Sequence, residues 1–221
     1  MAVNRSPRRP ADVPNVIPVF PLPEALLLPR GELPLSIFEP RYVAMVDDAL
    51  AGDRVIGMVQ PRPGEETDPP RLSDVGCLGR ITSFQETDDG RYLITLTGVC
   101  RFRVQEEVDT GTPYRQCRIS IADFVDDLEP RHGEEGVDRT RLLSTFRAYL
   151  DANGLETDWD AIKRASTETL VNALSMMSPY GVREKQALLE AQDLSTRAEV
   201  LIAVTEMALA RGDDDSGSSL Q

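Results

Sequence analysis

The hydrophobic pattern changes its period near Asp126, and this constrains the fold more than any other feature of the chain. Before that point apolar residues come in short runs or alternate with polar ones, the period of two that belongs to a strand. After it they recur every three to four residues, as along one face of a helix. The order predicts an α+β chain, strands first and helices second, rather than one that alternates between them.

In the first part, Val16 to Phe20, Leu33 to Phe38, Val55 to Val59, Cys77 to Phe84, Tyr92 to Thr97, Cys100 to Val108 and Tyr114 to Ile121 read as strands. Pro34 marks its run as an edge or a bulge, because proline has no N–H to give a central ladder. Asp88-Asp89-Gly90 is a hairpin signal, since Asp and Gly accept positive φ. Short strands at this spacing favour a barrel or sandwich. One helix interrupts them. Pro40 suits a first helical position, Val43, Val46 and Leu50 share a face, and Gly52 fits the residue after the end.

In the second part, Leu142, Leu143, Phe146 and Leu150 form one helical stripe, ended by Gly154. Trp159, Ile162, Leu170, Ala173, Leu174 and Met177 form another, closed by Pro179 and Gly181, with Met177 on the core side and Met176 outside. A helix over Arg183 to Gln192 follows. The last helix is expected to start at the capping box Thr196-Arg-Ala-Glu199 and to run through Val200, Leu201, Val204 and Ala208. The division implied is 16–125 for the β-rich part and 126–211 for the helical part. Residues 1–15, rich in Pro and Arg, are expected to be a mobile arm, and 212–221 a disordered tail.

Charge narrows the function classes. Up to Val125 the chain has 14 basic against 18 acidic residues, and beyond it 10 against 19, for a net charge of −13. Neither part carries the basic footprint of a nucleic-acid binder, and an acidic surface repels anionic lipid. No apolar run approaches the roughly 18 residues of a membrane span. Arg5, Arg8 and Arg9 are not followed by the apolar stretch of a secretory signal, so a cytoplasmic location is expected. Cys77, Cys100 and Cys117 form no CxxC pair, and their strand contexts suggest small half-buried hydrophobes.

The residues also carry a resemblance. Pro18-Val-Phe-Pro-Leu-Pro, Leu27-Leu-Pro-Arg30-Gly and Leu33-Pro-Leu-Ser-Ile-Phe-Glu-Pro-Arg-Tyr42 resemble the opening of the N-terminal substrate-recognition domain of Lon proteases. Gly79-Arg-Ile, Asp89-Gly-Arg-Tyr-Leu and Gly98-Val-Cys-Arg-Phe102 match later strands of that family in order and spacing. Glu184-Lys-Gln-Ala-Leu-Leu-Glu190 and Arg197 resemble its closing helices. The similarity runs from about Val16 to Arg211. It implies a PUA-like β-pseudobarrel followed by a C-terminal helical bundle, and a polypeptide-binding module with an adaptor role in protein quality control. PUA-like barrels elsewhere bind RNA, which makes an RNA-binding module the alternative.

Lon proteases add an ATPase and a Ser–Lys peptidase, and the residues here do not reproduce either chemistry. Gly52-x4-Gly57 has the glycine spacing of a phosphate loop, but Met58 and Val59 stand where Lys and Ser/Thr are needed. Lys163 and Lys185 sit on polar helix faces as solvated ammonium groups. His132, the one histidine, lies in the acidic stretch Glu129-Pro-Arg-His-Gly-Glu-Glu-Gly, a solvated linker rather than a catalytic setting. The adjacent carboxylates Asp47-Asp48, Glu65-Glu66, Asp88-Asp89, Glu106-Glu107, Asp126-Asp127 and Glu134-Glu135 fit a solvated surface, not the opposed pair of an acid–base site. No catalytic residue, cofactor or metal is expected.

The candidates for peptide contact are Leu26, Leu28, Arg30, Leu35, Glu39, Arg41, Tyr42 and Met176. Leu26 to Leu28, with Leu33, Leu35 and Ile37, either fill the barrel or offer an edge for an added strand. Glu39, Arg41 and Tyr42 form either a recognition surface beside Arg30 or a structural cluster. In the second case Glu39 complements the helix dipole and Arg41 bridges strand and helix. Met176 offers a soft, adaptable contact. The expected partners are unfolded or client polypeptides bound in the micromolar range, or a protease or chaperone. Neither nucleic acid nor membrane is expected, and the chain is expected to be a monomer or a weak homo-oligomer.

Overall fold

A computed structural model describes residues 6–62, 64 and 67–217, so Met1 to Arg5, Pro63, Glu65-Glu66 and residues 218–221 lie outside the described residues. The strands are β1 (Val16–Pro21), β2 (Glu32–Ile37), β3 (Val55–Pro61), β4 (Leu72–Glu86), β5 (Tyr92–Val108) and β6 (Gln116–Ser120), with helix α1 (Pro40–Ala51) between β2 and β3. They form one sheet in the order β2-β5-β4-β3-β1-β6, and β6 also pairs with β5, which closes the last five into a ring. The double use of β5 follows from its length of 17 residues. Its first half, Tyr92 to Thr97, takes β2, and its second half, Arg103 to Val108, takes β6. β2 is thereby left outside the ring with one long edge unpaired.

Two sets of side chains fill the barrel part. Ile17, Val19, Val55, Val59, Leu78, Cys100, Phe102, Cys117 and Ile119 make one core, contributed by all five strands of the ring. Ile56, Met58, Cys77, Leu96 and Ile94 point the other way and join Met45 and Val46 of α1 and Leu188 and Leu201 of the helical part in a second core. β3 is buried on both faces for this reason, and it reads in sequence as a solid apolar run rather than an alternating one. The large ring of Phe102 needs room, and Gly57 and Gly76 give it: a Cβ at Gly76 would lie 2.6 Å from Phe102 Cζ.

The helices are α2 (Arg139–Ala152), α3 (Trp159–Arg164), α4 (Thr167–Met177), α5 (Val182–Glu190) and α6 (Leu194–Gly217). α2, α4 and α5 pack on α6. The strands-then-helices order expected from the pattern is observed, and of the barrel or sandwich it left open the structure has the barrel that the resemblance implies.

Several local expectations need correction. The runs Tyr92–Thr97 and Cys100–Val108 are one strand, because Gly98 continues the ladder where its missing side chain lets the Leu28 carbonyl approach. β4 begins at Leu72, five residues before Cys77, and pairs with the end of β3 across a bulge. The stripe from Trp159 to Met177 is two helices. They part at Ala165 and Ser166, where Ser166 leaves helical geometry and its Oγ accepts from the Thr169 N–H at 3.1 Å. α3 consequently has no buried residue, and Trp159 lies under the Arg147 guanidinium at 4.3 Å.

The buried residues of α4 are Thr167, Glu168, Leu170, Val171, Asn172 and Ser175. Met177, read as core, is the last residue of the helix, where Ser178 turns to extended backbone, and is 82% exposed, while Met176 is half-buried. α6 begins at Leu194, ahead of the apparent capping box; Asp193 Oδ1 accepts the Thr196 N–H at 2.7 Å and performs the capping. α6 is helical through Gly217, into the stretch expected to be disordered.

Candidate functional site

A groove of about 520 Å³ runs between the β1–β2 loop, β2 and α4. Its apolar lining is Leu26, Leu33, Pro34, Ala173, Met176 and Met177, and its charged lining is Glu24, Arg30, Glu32, Glu168 and Lys185. The loop is shaped by two residues in the left-handed region, Glu24 at φ 63° and Arg30 at φ 62°. Such conformations cost about 1 kcal/mol or more and persist where the surroundings hold them. Between them Leu26, Leu27 and Leu28 are driven into the core. Gly31 lies directly against the Met176 sulfur, so a side chain at 31 would push Met176 aside.

The groove walls are held by a polar seam between barrel and bundle. Arg30 Nη2 pairs with Glu168, and its Nη1 donates to the Asp127 carbonyl at 2.6 Å. The second Glu168 oxygen accepts the Arg131 N–H at 2.9 Å. Asn172 Nδ2 donates to the Pro29 carbonyl, and its Oδ1 accepts from Arg197 Nη1, both at 3.1 Å. Lys185 Nζ donates to the Glu24 carbonyl at 2.8 Å.

Below the groove, Arg101 of β5, 3% exposed, makes a two-pronged pair with Asp127. Nε lies 2.8 Å from Oδ2 and Nη2 lies 2.9 Å from Oδ1. The same guanidinium donates to the carbonyls of Leu189, Ala191 and Gln192, which join α5 to α6, and lies 4.5 Å over the Phe124 ring. Arg197, 2% exposed, donates from Nε to the Leu188 carbonyl at 2.9 Å, while its Nη2 has no acceptor among the described residues. Burial, and then the neighbouring Arg101 cation, lower the Arg197 pKa to about 10, which keeps it charged at neutral pH.

The predicted contact residues separate accordingly. Leu26, Arg30 and Met176 meet in the groove. Leu28 does not; it is fully buried in the core. Leu35 is half-buried beside a separate depression of about 340 Å³ bounded by Pro34, Ser36 and Leu93. Glu39, Arg41 and Tyr42 lie away from the groove. Arg41 reaches Glu39 Oε2 from Nε at 3.1 Å and Nη2 at 2.8 Å, so it closes a turn and does not bridge strand and helix. Tyr42 is buried against Phe20, ring centroids 4.3 Å apart, with Arg41 over its other side.

The sequence reading missed Asn172 and Glu168, and it treated Lys185 as merely solvated. Arg101 and Arg197 enter the sequence analysis only through the resemblance. Arg101 did carry a signal: a charged residue between Cys100 and Phe102, in a strand with both faces covered, must be buried and paired.

Other titratable groups are structural. His132 Nδ1 is 3.2 Å from Glu129, with the ring half exposed. The three cysteines are fully buried rather than half-buried; burial pushes the Cys100 thiol up to about 12 and Cys117 up to about 11. Asp48 accepts the Tyr114 hydroxyl at 2.6 Å and Asp47 the Tyr92 hydroxyl at 3.0 Å, which splits that acidic pair between two partners. Among the described residues no three His, Cys, Asp or Glu side chains are grouped to hold a metal, and no helix is long and apolar enough to cross a membrane.

A ring of five strands with an appended edge strand, docked on a helical bundle, is the architecture of Lon N-terminal domains. The same fold is found in a Lon N-terminal domain protein from Xanthomonas campestris, with TM-score 0.58 and 24% identity over 85% of this chain and 97% of that one. It is found again in the N-terminal domain of Mycobacterium avium complex Lon protease, with TM-score 0.60 and 18% identity over 86% and 98%. The family model of the ATP-dependent protease La (LON) substrate-binding domain matches residues 16–205, and the chain belongs to that family. Lon protease 2 of Myxococcus xanthus is 29% identical over 86% of this chain, which spans 23% of that protein. Lon protease of Anaeromyxobacter dehalogenans is 34% identical over 53% of this chain, which spans 14% of it. The chain thus spans about a quarter or less of these curated relatives.

Proposed function

We propose that this protein binds exposed apolar segments of other polypeptides in the groove between β2 and α4, without chemistry, and serves as a cytoplasmic adaptor that presents them to a protease or chaperone. The observation that carries the reading is the groove itself. Apolar side chains are kept open to solvent there, although both walls are fixed by the Arg30–Glu168, Asn172–Pro29 and Lys185–Glu24 contacts. A wall ordered in advance lowers the ordering cost of binding. The family description, a substrate-binding domain, supports the same reading. The net charge of −13 favours polypeptide over RNA.

The test is fluorescence anisotropy with a permanently unfolded, reduced and alkylated protein as ligand. Micromolar binding is expected. Met176→Asp places a carboxylate on the apolar floor and should weaken binding at least about tenfold, a loss of about 1.4 kcal/mol, with the circular dichroism unchanged. No binding by the parent, or equal binding by Met176→Asp, refutes the reading.

A further inference from the structure

The backbone hydrogen bonds beside the groove set the phase of the free edge of β2. The Gly98 N–H donates to the Gly31 carbonyl, and the Arg30 N–H donates to the Gly98 carbonyl, both at 2.8 Å. Arg30 and Gly31 together therefore oppose Gly98 as a hydrogen-bonded pair with one extra residue. Bonded and non-bonded pairs alternate along an antiparallel ladder. Given the register Leu33↔Leu96, Leu35↔Ile94 and Ile37↔Tyr92, these odd-numbered residues bond to β5. Glu32 and Ser36 then turn their N–H and C=O groups outward, and Pro34 its C=O, on the side where β2 has no strand partner among the described residues. Pro34 sits at one of the outward positions, where its missing donor leaves the β5 ladder intact. The exposed edge offers donors at 32 and 36 only, and acceptors at 32, 34 and 36.

The charges along this edge are uneven. Both cations of the groove are engaged, Arg30 with Glu168 and Lys185 with the Glu24 carbonyl. The Glu24 and Glu32 carboxylates line the groove and have no side-chain partner among the described residues.

Resting on the function proposed above, we infer that the segment taken by the groove is an extended strand that pairs with the outer edge of β2 and carries lysine or arginine next to its apolar side chains. Alternate side chains of such a strand face Leu26, Leu33 and Met176, and a basic neighbour meets Glu32 and Glu24. A second copy of this chain is a poorer occupant. Symmetric pairing about Pro34 sets proline opposite proline, with no donor at the centre of the contact.

The test uses two labelled ten-residue peptides with the same alternating apolar residues, one flanked by lysines and one by glutamates. The lysine peptide should bind about tenfold tighter at 0.05 M salt, with the gap shrinking at 0.5 M as screening shortens the reach of charge. Glu32→Lys should reverse the preference. Single N-methyl groups walked along the lysine peptide should abolish binding at every second amide only. Pro34→Ala, which restores an outward donor, should tighten binding. Equal affinity of the two peptides, or N-methylation with no alternation, overturns this inference while leaving the proposed function in place. Failure of both peptides and of the unfolded protein to bind overturns the function itself.

Discussion

Asp127→Ala tests the idea that the Arg101 seam, and not the apolar contacts alone, joins the barrel to the bundle. Asp127 accepts three hydrogen bonds from Arg101, from its backbone N–H at 2.9 Å, from Nε at 2.8 Å and from Nη2 at 2.9 Å. Without the carboxylate the guanidinium stays buried with no counter-charge, beside the cation of Arg197. Breaking one side of a buried pair costs about 3–5 kcal/mol. The lower end applies here, because Arg101 keeps the carbonyls of Leu189, Ala191 and Gln192 and the Phe124 ring. For a chain of this size about 3 kcal/mol corresponds to a fall in Tm of roughly 6–12 °C. The paired change Arg101→Met with Asp127→Leu removes both charges and should return to within about 1 kcal/mol of the parent. Urea unfolding followed by circular dichroism, on the parent, Arg101→Met, Asp127→Leu and the double variant, measures the four corners of this cycle. Hydrogen exchange should show faster opening of α5 and α6 in Asp127→Ala alone. A single-variant cost under about 1 kcal/mol, or a double variant that merely adds its two single costs, refutes the reasoning.

The remaining predictions concern close packing and buried thiols. Gly98→Ala drives a Cβ into the Leu28 carbonyl, which cannot retreat without moving the groove loop, and should cost about 3 kcal/mol or more or abolish soluble expression; a urea midpoint like the parent's counts against it. Cys77, Cys100 and Cys117 are fully buried, so a disulfide-exchange reagent at pH 8 should label none of them in the folded protein and all three in guanidinium. Their thiols ionise at about pH 8.5 in the unfolded chain, whereas burial holds Cys117 to about 11 and Cys100 to about 12 in the fold. The sign follows: the unfolded state releases protons first, so stability is full below about pH 8.5 and falls as pH rises towards 11. Stability that is flat over that window, once the effect is compared with a Cys→Ala or Cys→Val variant, would remove the assignment.

The barrel and bundle were legible because burial writes itself into periodicity. β3 appeared as Val55 to Val59 because both its faces are covered, and α1 appeared because Pro40 and Gly52 bracket an apolar face. The errors fall where tertiary contacts decide. Met177 shares the phase of the buried Leu170 but is exposed because α4 ends at it and Ser178 turns to extended backbone, an ending that the apolar stripe conceals. Thr196 looked like a cap, but Asp193 precedes it and takes the Thr196 N–H. The groove was half legible. Leu26, Arg30 and Met176 were singled out by their chemistry, yet nothing in the spacing says that residues 30 and 168 share an ion pair. Long-range pairing of this kind is invisible to any local pattern.

The arginine seam bears on how an apolar groove can survive beside a hydrophobic core. Leu33, Met176 and Met177 would gain by closing the gap, since burying apolar area is favourable at about 25 cal/mol per Å². Closure requires α4 to slide toward the β1–β2 loop. That movement would have to break the Arg30–Glu168 pair and the Asn172 bridge to Pro29 together, leaving the buried Glu168 and Asn172 without those partners. Such groups cost more than a few contacts recover, so the seam acts as a spacer as well as a staple. The open state is thus a consequence of polar pairing at fixed length, with α4 held at a set distance from β2. It follows that a variant with a loosened seam should lose groove affinity even when its apolar lining is unchanged, because collapse of the walls competes with any ligand.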